Sequence, residues 1–244
     1  MTEAGTQGRS GDLHNYVLVT AAYWADTIAD GAIRLLVLFY FYERGYTPFQ
    51  LATVFAFYEI FGIVTNLVGG FLAARLGLKT TLVMGLGVQI AALLMLGAAP
   101  GEWLVVPYVM AAQALSGIAK DLTKMSSKSA VKLVVADDVP GALYRWVAIL
   151  TGSKNALKGV GFFVGGLLLT VTSFQTAMLL LAAMVFAALV STIPFMHGGL
   201  GRADRKAKFK QMFPNSRAIN LLAAARIFLF SSRDVWFVVG LPVY

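Results

Sequence analysis

Asp26, Asp30 and Arg34 stand four residues apart within the apolar run YVLVTAAYWADTIADGAIRLLVLFYF, residues 16–41. At about 100° per residue a helix carries all three on one side, where Asp30 and Arg34 are placed to pair. Thr151, Lys154, Asn155 and Lys158 follow the i, i+3, i+4, i+7 pattern in a second apolar run. Gln113, Gly117, Lys120 and Lys124 draw a third such stripe, which Lys128 and Lys132 extend. Arg226 and Arg233, two turns apart, share a face, with Asp234 beside them, and Glu59 lies alone in its run. Arginine grips oxyanions bidentately and lysine as a point charge, whereas a carboxylate in an apolar setting can take up and release a proton. Arg34, Lys120, Lys154, Lys158, Arg226 and Arg233 are therefore candidates for anion contact and Asp26, Asp30 and Glu59 for proton exchange. Beside them stand the structural alternatives of an internal ion pair for Asp30 and Arg34 and a helix-end anchor for Lys120.

The elements that carry these groups are membrane-spanning helices. The 244 residues are 58% hydrophobic and 13% charged, against roughly 45–50% and 25% in soluble domains, and the mean hydropathy is +0.73. Since about 20 apolar residues cross the hydrocarbon core, we draw spans at 16–41, 49–74, 80–99, 103–119, 143–170 and 174–196, and a seventh from Ala218 onward. A charge at a helix centre costs roughly 2.5–3.5 kcal/mol in lipid, so the ionisable groups must pair or face an internal aqueous cavity. An inter-helix pair between Glu59 and Lys154 or Lys158 is one way to satisfy them. The polar segment 1–15 reads as a tail, 16–197 as a six-helix bundle, 198–217 as a basic loop and 218–244 as the start of a second half.

Lys and Arg crowd the connections after the second, fourth and sixth spans, while the opposite loops hold only Arg44. The positive-inside rule then puts the N-terminus in the cytoplasm, and a bacterial-type cytoplasmic (inner) membrane is the expected location. The net charge of +8 follows from these loops, and no nucleic-acid partner is expected because no aromatic platform accompanies them. There are no cysteines, and His14 and His197 lie at the margins of the bundle, so neither a metal, a cofactor nor an enzymatic activity is expected. Gly62, Asn66 and Gly70, and likewise Gly161 and Gly165, are spaced for close helix packing.

The segment from Gly70 to Lys79, GFLAARLGLK, resembles the G-x-L-A-D-R-x-G-R-R signature of the major facilitator superfamily. Gly70, Arg75, Gly77 and Lys79 match; Ala74 replaces the aspartate and Leu78 the first of the terminal basic residues. Gly159, Gly161, Gly165 and Gly166 resemble the glycine-rich fifth helix of antiporters. The stretches 57–70, 111–133, 150–163 and 232–244 resemble the organoarsenical efflux permeases of the ArsJ type. That resemblance implies export of 1-arseno-3-phosphoglycerate, a functional link to the glyceraldehyde-3-phosphate dehydrogenase that produces it, and arsenate resistance. By similarity to organophosphate antiporters, Arg34 and Arg226 or Arg233 would act as oxyanion clamps, with Arg34 and Arg233 preferred. The fold expected is an all-α membrane protein, a major facilitator-type six-helix N-terminal bundle with an incomplete seventh helix, whose C-terminal half is needed for a complete transporter. An exporter of another organic anion or a drug, and a seven-helix receptor or scaffold, are the alternative readings.

Overall fold

The computed structural model describes residues 3–134 and 142–196, with scattered positions between 216 and 229. Among the described residues the chain forms six long helices: α1 (Glu3–Glu43), α2 (Pro48–Leu76), α3 (Leu78–Ala98), α4 (Val106–Val134), α5 (Ala142–Val171) and α6 (Phe174–Phe195). A single 3₁₀ turn, Gly101–Trp103, joins α3 to α4. No strand occurs among the described residues.

The short connections end helices by local chemistry. Gly45, at φ 81°, turns the chain after α1. Thr47 then caps α2 in a capping box with Gln50, and Pro48 occupies the first turn, where its missing N–H costs nothing. Between α2 and α3 the whole turn is Gly77, at φ 87°, a conformation in which a side chain would be strained. Ser173 caps α6, its hydroxyl accepting from the Thr176 amide at 3.2 Å.

Among the described residues, four helices are long and apolar enough to cross a membrane: Pro48–Asn66 of α2, Leu78–Ala98 of α3, Tyr144–Val171 of α5 and Phe174–Phe195 of α6. Helices α1 and α4 are richer in acidic, basic and hydroxyl residues, many of them buried inside the bundle. Helix α1 packs against α4, α5 and α6, and α4 packs against α2 and α3 as well. Polar residues such as Asp26, Thr81, Gln89, Ser116 and Thr123 are buried in these seams, while large apolar side chains such as Phe163, Phe186 and Phe195 cover the outside. This inversion of the soluble pattern is what a lipid solvent favours.

Two expectations change. The segment 1–15, read as a tail, is helical from Glu3 as the lower part of α1; no proline interrupts it, and helix propagation costs little once the long apolar part has nucleated. The fourth span, drawn to Ala119, continues to Val134. Lys120, Lys124 and Lys128 therefore sit on α4 and not in a loop, and the stripe begun by Gln113 is part of one continuous helix. The basic loop 198–217 falls almost wholly outside the described residues, as do Arg226, Arg233 and Asp234. Of the expected seventh helix, residues 217–218, 221–222, 224–225 and 228–229 are described and helical.

Candidate functional site

Helix α1 presents its acidic and basic residues to α2 and α4. Asp26, Asp30 and Arg34 are only 1%, 3% and 5% exposed, so each is removed from solvent and must be satisfied by the protein. Asp30 and Arg34 do not pair with each other, as their spacing on one helix suggested. Arg34 Nη2 instead donates to Glu59 Oε1 of α2 at 2.7 Å, and Asp30 Oδ1 accepts from the Tyr58 hydroxyl. The expected pair between Glu59 and Lys154 or Lys158 is likewise not formed. A neighbouring helix can bring a donor head-on, whereas two side chains one turn apart on the same helix must bend back to meet. Asp26 Oδ2 accepts from Thr123 Oγ1 of α4 at 2.6 Å, and its Oδ1 is buried without a hydrogen-bond partner.

Tyr58, which the spacing analysis did not single out, is at the centre of this group. It is fully buried, and the Arg34 guanidinium lies over its ring at 3.9 Å while Lys120 Nζ lies over the same ring at 4.0 Å. The α2–α4 approach that makes this possible depends on Gly117, whose Cβ, were it present, would meet the backbone of Tyr58. Helix α5 adds Lys154 and Lys158 from the other side of α1, drawn close by Gly31, Gly161 and Gly165; a Cβ at Gly161 would stand 2.5 Å from the Ile28 carbonyl. Trp24 Nε1 donates across the same seam to Ser153 Oγ at 3.1 Å.

The cations divide into two sets. Lys124 is paired with Asp121 at 2.7 Å, and Arg34 with Glu59. Lys120, Lys154 and Lys158 make no hydrogen bond and no salt bridge among the described residues. Arg34 also keeps one donor in hand, because its Nε is buried with no partner. Leaving such a donor unmet costs about 1–3 kcal/mol. Further along the seam, the side-chain amides of Gln113 and Gln89 are also incompletely bonded, although Ser116 donates to Gln89 Oε1 at 3.0 Å.

At the turn between α2 and α3, the Gly77 amide closes α2 by donating to the Ala73 carbonyl at 3.1 Å. Lys79 Nζ reaches across to the carbonyls of Ile193 and Met196 at the end of α6, both at 2.9 Å. Arg75 is exposed, with its guanidinium 5.8 Å from the Phe71 ring. Gly70 lies in the last turns of α2.

A helical bundle with an apolar exterior and a charged, partly unsatisfied interior defines a polytopic membrane protein. Residues 19–244 match the Major Facilitator Superfamily, and the chain belongs to that family. Its fold is similar to that of a POT family transporter in complex with a thioalcohol-conjugated peptide, with a TM-score of 0.66 at 14% identity over 91% of this chain and 46% of the other. A peptide transporter POT in complex with sulfate is similar at a TM-score of 0.62 and 16% identity, over 93% of this chain and 46% of that one. The chain thus spans just under half the length of these structures. No curated protein matches it in sequence.

Proposed function

We propose that this chain forms the first half of an alternating-access transporter that exports an anionic organophosphate or organoarsenical, 1-arseno-3-phosphoglycerate being the substrate the sequence resemblance favours. The observation that carries the reading is the surplus of cationic capacity around α1: Arg34 with an unbonded Nε, and Lys120, Lys154 and Lys158 without ion-pair partners among the described residues. An oxyanion in a cavity with reduced water screening is the ligand that such donors hold best. Arg34 is the bidentate contact and the lysines are point charges around it. Arg226 or Arg233 would complete the clamp from the second half. In this reading the N-terminus and the Gly77 turn face the cytoplasm of a bacterial-type inner membrane, Gly70, Arg75, Gly77 and Lys79 form the conformational turn, and a triose-phosphate dehydrogenase supplies the substrate.

Among the three carboxylates, Asp26 is the carrier held neither in an ion pair nor by a tyrosine hydroxyl, and its Oδ1 has no hydrogen-bond partner. Glu59 is committed to Arg34, and Asp30 accepts from Tyr58 close to several cations. Among the described residues Asp26 accepts from Thr123 alone. Proton exchange at Asp26 would then drive export.

The test is export of the arsenylated triose ester from vesicles carrying the complete two-half transporter. Arg34→Ala and Arg233→Ala should each abolish flux, and normal flux in both would overturn the clamp. Resistance to arsenate that persists without the dehydrogenase would overturn the substrate. Transport titrated against pH should lose its dependence in Asp26→Asn while keeping it in Glu59→Gln; unchanged dependence in Asp26→Asn would remove the proton role.

A further inference from the structure

We infer that Thr123 is the positioning residue for proton exchange at Asp26: its hydroxyl donates to the ionised carboxylate and accepts from the protonated one, so that both states keep one arrangement of heavy atoms. This rests on the reading of Asp26 as the proton carrier and says what makes the exchange reversible inside the bundle. Thr123 and Asp26 are 0% and 1% exposed, so bulk water does not replace the bond between them. Thr123 Oγ1 lies 2.6 Å from Asp26 Oδ2, 3.1 Å from the Ala119 carbonyl oxygen and 3.0 Å from that of Lys120. A hydroxyl has one hydrogen to give and can also accept, so three acceptors compete for it. A length of 2.6 Å fits a hydroxyl donating to an ionised carboxylate, and in that state the hydrogen goes to Asp26.

A proton taken up from cavity water changes the direction of the bonds and not the places of the atoms. Asp26 Oδ1 has no hydrogen-bond partner, so an O–H there would be a buried, unmet donor. On Oδ2 the new O–H points at Thr123 Oγ1, and the threonine hydrogen swings to the Ala119 carbonyl, the bond that a threonine makes within its own helix. Every hydrogen then keeps an acceptor, and release of the proton reverses both turns. Helix α3 holds the oxygen in place. A Cβ at Gly85 would stand 2.7 Å from Thr123 Cγ2 and 3.1 Å from the Thr123 amide nitrogen. The threonine methyl is thus seated against the bare backbone of α3, and turning Oγ1 away from α1 would empty that contact. The titratable and charged groups around Asp26 are Tyr23 and Asp30 on α1 and Lys120 and Asp121 on α4. Lys154 and Lys158 on α5 and Tyr58 and Glu59 on α2 act on Asp30. Lys79 of α3 is bound to carbonyls at the end of α6, and α6 itself carries no such group. Among the described residues only Thr123 hydrogen-bonds the Asp26 side chain, so its hydroxyl answers the change of charge directly.

The test follows Asp26 by infrared difference spectroscopy on the purified two-half protein, titrated between about pH 4 and pH 10 without substrate. The signal is the carboxylic-acid C=O band that Asp26→Asn removes, and in the wild type it should grow as the pH falls. Thr123→Val keeps the shape of the side chain and loses the hydroxyl. Because a hydrogen bond to the charged form is the stronger one, the midpoint of the band in Thr123→Val should move to higher pH by about one to two units. Thr123→Ser, which keeps the hydroxyl, should hold the wild-type midpoint. Thr123→Ala should shift it as valine does, and it provides the test if Thr123→Val does not fold. A midpoint left in place by loss of the hydroxyl, or moved as far by serine, overturns the role of Thr123 while leaving the carrier reading intact. A wild type with no titrating band that Asp26→Asn removes overturns the carrier reading itself.

Discussion

At the scale of single residues, the site is governed by which charges are already spent. Glu59 neutralises Arg34 at 2.7 Å, and removing one member of a pair whose other member is buried leaves an uncompensated charge. Glu59→Gln is therefore expected to lower the stability of the purified protein by about 1–3 kcal/mol, read as a drop in the thermal midpoint in detergent. Lys154→Gln breaks no pair and should leave that midpoint unchanged while weakening phosphate binding. Equal loss of stability in the two variants would mean that Lys154 is structurally committed. The types and spacing of Asp26, Asp30, Arg34 and Glu59 marked them as interior groups, and the structure buries the three on α1. Their pairing was not legible, because a same-helix neighbour such as Asp30 for Arg34 is visible in the spacing and a cross-helix partner is not. Tyr58 gave no signal for the same reason: in an apolar run an isolated tyrosine looks like any other packing residue until two cations are seen to converge on its ring.

At the scale of elements, close approach sets the geometry. A Cβ at Gly165 would lie 2.8 Å from the Ala32 carbonyl and one at Gly31 2.7 Å from the Lys158 carbonyl, so α1 and α5 touch backbone to backbone. Gly161→Leu should force them apart and cost about 1–3 kcal/mol. Gly159, whose added Cβ would meet nothing within 4 Å, should accept alanine without loss; heat inactivation of both variants in membranes compares them. Lys79 holds the other end of the bundle, donating to two carbonyls at the C-terminus of α6, where a cation also meets the negative end of the helix dipole. Lys79→Met is expected to destabilise by about 0.5–2 kcal/mol and to raise amide hydrogen exchange in the last turn of α6. Unaltered exchange there would show that the contact carries no load. The glycine spacings announced tight seams, but which helix fills each seam depends on the fold: Gly161 and Gly165 meet α1, and Gly62 meets α4.

At the scale of the whole molecule, the absence of cysteine makes the cavity directly testable. Asn155, exposed on the polar stripe of α5, should react as Asn155→Cys with a membrane-impermeant maleimide in sealed vesicles. Phe186→Cys, exposed on the apolar outer side of α6, should not, because it faces lipid. Labelling at Phe186→Cys but not at Asn155→Cys would reverse the assignment of inside and outside. The helical architecture, the near positions of most helix ends and the interior location of the α1 charges followed from sequence by itself, because lipid forces every backbone polar group into a helix and penalises every exposed charge. The length of α4 followed only in part: the stripe from Gln113 through Lys124 has helical spacing, but the span was drawn to Ala119 because its lysines also fit a positive cytoplasmic connection, and the helix carries them on to Val134. Only the tertiary structure decided which cations are consumed by Glu59 and Asp121, which others have no ion pair among the described residues, and that Arg34 and Lys120 both lie over the Tyr58 ring. Those outcomes depend on distances of a few ångströms between helices remote in sequence, and no local pattern encodes them.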